Sequence, residues 1–302
     1  MTDALHLPPF AELAVLLALA AAAGLVGQIL RQPVIVAFIG VGIVAGPAGL
    51  GFAAEEEYID LLAELGIALL LFLVGLKLDL KHVRALGPVA LAAGLTQVAL
   101  TIALGFGLGV ALGLAPVTAM FVAVALAFSS TIIIVKMLSD KREISSVYGR
   151  IALGILIVQD LVVVLAMIVL SAAAAGAGAE AGLAEVLTLL ATVAAMLAGI
   201  GLFMRYVAVP LVHRLADVPE LLVAFALGWA ALLAALGDFG GLSKELGGLL
   251  AGVSLASTPL RDALSARLAP LRDFLLLFFF INLGAGIDPG LFGDQIGVAL
   301  AL

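Results

Sequence analysis

Long apolar runs, broken by short polar or basic stretches, repeat along the whole chain. Their lengths fall near the roughly 20 residues that an α-helix needs to cross a bilayer core. Ten such stretches are read as spans, at about 10–29, 33–50, 59–76, 87–113, 115–137, 147–171, 183–208, 220–236, 242–257 and 271–287. Pro33, Gly87-Pro88, Pro116, Pro219 and Pro270 mark the ends, and Ala172–Gly182 reads as a flexible Ala/Gly loop. The pattern predicts an all-α polytopic membrane protein with no soluble domain.

Charge fixes an orientation. With the N-terminus outside and the spans alternating, the inner loops hold Arg31; Lys77, Lys81 and Arg84; Lys136, Lys141, Arg142 and Arg150; Arg205 and Arg214; and Arg261, Arg267 and Arg272. Of the 14 Lys and Arg residues only Lys244 is left outside. Glu55, Glu56, Glu57, Glu180, Glu185, Asp288 and Asp294 fall outside as well. The start of the chain carries Asp3 and Glu12 and no Lys or Arg, so the stretch from Phe10 reads as a retained span rather than a cleaved signal.

Composition agrees. Of 302 residues 65% are hydrophobic and 12% charged, half the charged share of an ordinary soluble domain; the mean hydropathy is +1.31. The sequence has no cysteine, which removes disulfides and thiolate metal sites from consideration.

Span two carries Gly42-Ile43-Val44-Ala45-Gly46 and span nine Gly248-Leu249-Leu250-Ala251-Gly252. Span three closes on Gly75-Leu76-Lys77-Leu78-Asp79, span ten on Gly284-Ala285-Gly286-Ile287-Asp288, at nearly equal offsets. Spans one and eight start these copies on opposite sides of the membrane, the arrangement of an inverted repeat in a secondary transporter. The expected organisation over 1–302 is a first repeat at 10–171, a linking helix at 183–208 and a partial second repeat at 220–302. Gly293–Leu302 reads as the start of a further helix, so about three helices are expected to be missing from this sequence.

Two stretches carry the chemistry. Ser129-Ser130-Thr131 places three hydroxyls inside an apolar segment, and Gln159-Asp160 places an amide and a carboxylate near the middle of another. An ionised Asp at the centre of a membrane helix costs about 2.5–3.5 kcal/mol on insertion scales, which makes it a functional-site candidate by default. At 1.5 Å per residue Asp160 lies about 15 Å beyond Arg150 and Thr131 about 8 Å from Lys136, so both sit inside the bilayer. Hydroxyls there can ligate a cation or bond carbonyls freed where a helix unwinds. A carboxylate that loses hydration holds either a proton or a cation on the same oxygens. One such group suffices for one-for-one exchange.

These residues resemble the Kef-type monovalent cation:proton antiporters. The likeness runs through Phe128-Ser129-Ser130-Thr131, the basic loop to Gly149-Arg150, Gly154-Ile155-Leu156 with Gln159-Asp160, the stretch from Glu64 to Asp79, and Leu249–Ala256. It implies an inverted-repeat fold of thirteen helices, two of them crossing and partly unwound, with an elevator-like motion. It also implies exchange of K⁺ or Na⁺ for H⁺, a homodimer and a bacterial inner membrane. Asp160 corresponds to the family's ion-binding Asp, Gln159 to its partner, and Ser129, Ser130 and Thr131 to the first helix break. The second crossing helix and the cytosolic nucleotide-binding domain have no counterpart in this sequence. The loop Arg261-Asp262-Ala263-Leu264-Ser265-Ala266-Arg267 lacks the acidic character of glutathione-gated members, so that gating is not expected.

Other polar residues have plainer readings. Glu64 reads equally as facing the bundle interior or the outer interface, Asn282 as a packing polar, and Lys244 with Glu245 as an outer interface ion pair. A gated cation channel on the same helices is the alternative function. An intramembrane hydrolase using Ser129 or Ser130 would need a base at that depth, and His6, His82 and His213 all lie at membrane edges. Gly105-Phe106-Gly107-Leu108-Gly109 lies inside a span, so it reads as helix packing and not as a nucleotide loop. No enzyme activity, cofactor or nucleic-acid partner is expected; the partners are the transported ions and lipid.

Overall fold

The structure is a computed structural model, and it describes residues 8–47, 49–51, 57–78, 80–174, 179–215 and 218–287. Every regular element among them is a helix. The helices are α1 (Pro9–Ile29), α2 (Val34–Ala45), α3 (Glu57–Lys77), α4 (Leu80–Ala111), α5 (Pro116–Ala127), α6 (Thr131–Asp140), α7 (Val147–Ala174), α8 (Ala179–Phe203), α9 (Val209–Leu215), α10 (Pro219–Phe239), α11 (Lys244–Leu255) and α12 (Arg261–Ala285). Among the described residues six helical segments are long and apolar enough to cross a membrane: Pro9–Ile29, Glu57–Lys77, Gly87–Ala111, Pro116–Asp140, Pro219–Phe239 and Arg261–Ala285. The protein is thus α-helical and polytopic.

The proline punctuation proves weaker than the pattern suggests. α4 runs through Gly87-Pro88 from Leu80, and α12 runs through Pro270 from Arg261. A proline inside a helix removes only the bond to the carbonyl four residues back. The carbonyls concerned, of Arg84 and Ala266, lie in stretches rich in charged residues, where water can bond them. The expected loop Ala172–Gly182 is also shorter than read, since helix continues to Ala174 and resumes at Ala179; 175–178 lie outside the described residues. α8 ends in a wide π turn, Met204–Ala208, just before Pro210, whose missing N–H a widened turn absorbs. Asp79, Glu55, Glu56, Asp288 and Gly293–Leu302 lie outside the described residues.

The chain divides into two compact units. One comprises residues 1–67 and 270–302. Its core is Leu16 and Ala20 of α1, Val41 and Ala45 of α2, Ile59 of α3, and Phe278 and Ile281 of α12, all buried. Here α2 and α12 meet backbone to backbone. A Cβ on Gly42 would overlap the carbonyl oxygen of Ile281, and one on Gly284 would overlap that of Ile39.

The other unit comprises residues 68–269. α4 packs along α5 and α7, and α10 along α11. Small residues permit this: Gly105 faces Ala123, Gly109 faces Ala119, and Gly154 faces Ala90. α11 meets α3 as closely as α2 meets α12, because a Cβ on Gly252 would overlap the Phe72 carbonyl oxygen and one on Gly75 that of Leu249. Trp229 of α10 stacks on Phe203 with ring centroids 4.3 Å apart and donates from Nε1 to Ser254 Oγ of α11 at 2.9 Å.

Candidate functional site

The site lies within the unit of residues 68–269 and begins with a broken helix. α5 ends at Ala127; Phe128 is extended (φ −102°, ψ 132°), as is Ser130 (φ −68°, ψ 104°), and α6 starts at Thr131. The break leaves carbonyls at the end of α5 and amides at the start of α6 without helical partners. In lipid, where water cannot serve, side chains have to fill these roles.

They do so from both sides. Ser130 Oγ accepts from the N–H of Ile133 at 3.4 Å and caps α6. The Ala127 carbonyl accepts from Gln97 Nε2 of α4 at 3.2 Å and from Gln159 Nε2 of α7 at 3.5 Å. The two amides are joined directly, Gln159 Nε2 donating to Gln97 Oε1, and Gln97 Nε2 also reaches Thr101 Oγ1 at 3.3 Å. Three helices therefore converge on one freed carbonyl.

Next to this clasp, Thr131 Oγ1 donates to Asp160 Oδ1 at 3.2 Å. The first residue of α6 thus touches the carboxylate at mid-length of α7, and the positive end of the α6 dipole lies beside it. Gln159 is buried (3% exposed), and its Oε1 has no hydrogen-bond partner. Gln159 Oε1 is thus an acceptor still available for a cation or a donor.

Of the candidates read from sequence, Asp160, Gln159 and Thr131 come together at the break. Ser129 and Ser130 are exposed, and Ser130 spends its oxygen on the cap. Glu64 and Asn282 belong to the other unit, where Glu64 is exposed and Asn282 Nδ2 donates to Asp60 Oδ1 at 2.6 Å. Sequence reading missed Gln97, whose only signal is an amide alone in an apolar span. It also placed Glu245 at an outer interface, paired with Lys244. In the structure Glu245 lines the same cavity as Asp160 and Thr131, while Lys244 Nζ lies 3.9 Å from Asp238 Oδ2.

The clasp yields a test. Gln97→Leu removes the Gln97 acceptor of the Gln159 amide and leaves that amide and the Ala127 carbonyl only their mutual contact at 3.5 Å. An unmet buried polar group costs about 1–3 kcal/mol. The variant is expected to melt lower in detergent than the parent protein; an unchanged melting temperature would show that the clasp contributes nothing to the break.

Known proteins resemble this chain throughout. The family described as "Sodium/hydrogen exchanger, transmembrane" matches residues 14–302. The chain is 33% identical over 298 residues to the iron transporter MagA of Paramagnetospirillum magneticum, covering 99% of this chain and 68% of that protein. It is 30% identical over 296 residues to K(+) efflux antiporter 5 of Arabidopsis thaliana (96% of this chain, 52% of the relative). With the putative cation/proton antiporter YbaL of Escherichia coli it shares 31% identity over 289 residues (90% and 50%). The chain spans about two thirds of the first relative and about half of the other two. It belongs to the sodium/hydrogen exchanger family, among the Kef-type cation:proton antiporters, which are transporters and not enzymes.

Proposed function

We propose that this chain carries the exchange site of a secondary transporter that moves a monovalent cation, K⁺ or Na⁺, against H⁺. Asp160 is the group that holds one or the other. The observation that carries this reading is the hydrogen bond from Thr131, at the start of the helix resumed after the break, to the carboxylate in mid-helix. A cation on Asp160 has the Thr131 hydroxyl beside it. Alternating occupancy of one carboxylate by cation or proton gives one-for-one exchange with no net charge moved. The K(+) efflux antiporters among the relatives favour K⁺.

The chain is proposed to form ten spans arranged as an inverted repeat, with its N-terminus outside. Helix contacts support the repeat. α2 and α11 carry the matched Gly-Ile/Leu-Val/Leu-Ala-Gly segments, and each is 12 residues long. α3 and α12 carry the matched segments that follow. Within one unit α2 meets α12 through Gly42 and Gly284; within the other α11 meets α3 through Gly252 and Gly75. Exchanging the two copies turns one of these helix pairs into the other, with the contacting glycine of α11 one turn further along than the sequence match places it. A homodimer and a bacterial inner membrane complete the proposal by family analogy.

The test is coupled flux. Full-length protein in everted vesicles, energised and loaded with a pH dye, is expected to release protons on addition of K⁺ or Na⁺, at carrier turnover. Cation currents far above that turnover, with no obligatory proton movement, would establish a channel instead. Thr131→Val keeps the shape and deletes the hydroxyl. The loss of a hydrogen bond to a charged group, about 1.5–3 kcal/mol, predicts roughly a tenfold or greater rise in the half-saturating cation concentration.

A further inference from the structure

We infer that Glu245 is a second cation-contacting carboxylate of the exchange site. The inference rests on the reading of Asp160 as the exchanging group and adds to it a residue that the sequence placed elsewhere.

α11 opens at Lys244 behind the cap Ser243, whose Oγ accepts from the N–H of Leu246 at 3.2 Å. The close approach of Gly248 to Ala68 and of Gly252 to Phe72 presses α11 against α3. That packing brings the first turn of α11 to a cavity walled by Leu71, Leu156 and Leu249 and lined on its polar side by Thr131, Asp160 and Glu245. The cavity has room for about one water molecule. Thr131, Asp160 and Glu245 all border this one small space. A potassium ion is about the size of a water molecule.

Among the described residues Asp160 and Glu245 are the only titratable side chains lining this cavity. Lys244 Nζ lies 3.9 Å from Asp238 Oδ2 and Lys136 Nζ binds Asp140 Oδ1 at 2.8 Å, and neither lysine is among the residues that line the cavity. Two carboxylates facing one small, mostly apolar space repel each other unless a proton or a cation stands between them. Among the described residues no Lys, Arg or His lines the cavity to do this, so the occupant supplies the positive charge. With a monovalent cation and one proton the filled site is neutral. With the cation alone it keeps one negative charge and binds more tightly.

Titrating cation against proton release in everted vesicles with full-length protein tests this. Glu245→Gln keeps the volume of the side chain and removes its charge. It is expected to raise the half-saturating concentration of K⁺ about tenfold, a larger change than in the maximal rate, equivalent to about 1.4 kcal/mol of binding. Glu245→Asp keeps the charge on a shorter stem and is expected to fall between the parent and Glu245→Gln. Asp160→Asn, run in parallel, loses exchange at every cation concentration. If both Glu245 variants lower the maximal rate at unchanged half-saturation, the residue is structural and the inference is overturned. The same holds if Glu245→Gln behaves as the parent while Asp160→Asn is inactive, and the exchange site then stands without it. An active Asp160→Asn would instead refute the underlying reading of Asp160.

Discussion

Asparagine at position 160 of the full-length protein abolishes cation-dependent proton release, while the protein still inserts and folds. The substitution is nearly isosteric. Its Oδ1 can accept from Thr131 Oγ1, as the carboxylate does at 3.2 Å, so the contact between α6 and α7 survives. Charge is what disappears. A neutral amide neither takes up a proton near neutral pH nor offers a cation its counter-charge, so both halves of the exchange fail together. Stability moves the other way. An ionised Asp in mid-membrane costs about 2.5–3.5 kcal/mol, and removing an unpaired charge relieves that cost. In cation-free alkaline detergent the variant should therefore melt no lower than the parent. Loss of exchange with equal or higher stability separates a functional charge from a structural one. Exchange persisting with unchanged pH dependence would remove Asp160 from the mechanism.

What the sequence showed of this site follows from what apolar surroundings make conspicuous. Asp160 and the Ser129-Ser130-Thr131 run stand out because lipid tolerates few polar groups, and each that remains needs a reason. Which of three adjacent hydroxyls reaches the carboxylate depends on the φ/ψ values of the break, and composition carries no trace of those. Gln97 and Gln159 are 62 residues apart, with no spacing rule between them, and only the folded contact of α4 with α7 joins them. That Glu245 borders the cavity of Asp160 was not legible for a related reason. An acid beside a lysine at a helix start looks like an interface pair, and the depth at which a helix starts is not written in its residues. α11 has 12 residues, about 18 Å of helix against a bilayer core of about 30 Å, so its start need not coincide with the membrane surface. The Gly-x-x-x-Gly segments were legible as a repeat, but their partner helices were not, since tight packing is a property of two surfaces.

Valine in place of Gly252 is expected to have the largest effect on stability of any substitution outside the site. Its Cβ would overlap the Phe72 carbonyl oxygen and crowd the Cα of Gly75, atoms that belong to backbone and cannot rotate aside. α3 and α11 would have to part along their contact. Overpacking costs about 1–3 kcal/mol even where side chains can yield, and here the yielding groups are whole helices. Because α11 also carries Glu245 and Leu249 to the cavity of Asp160, separation disturbs the wall of the site as well as the fold. The matched helix pair, α2 with α12, makes the experiment sharper. A Cβ on Gly42 would meet the Ile281 carbonyl oxygen in the same way. If the two copies are equivalent, Gly42→Val and Gly252→Val lower the melting temperature in detergent by similar amounts. Only Gly252→Val changes the half-saturating cation concentration measured in whatever protein reaches the membrane, because Gly42 lies in the unit that does not contain Asp160. Gly252→Val melting with the parent would show that α11 and α3 do not meet at this glycine, and the repeat would then lose the contact that supports it.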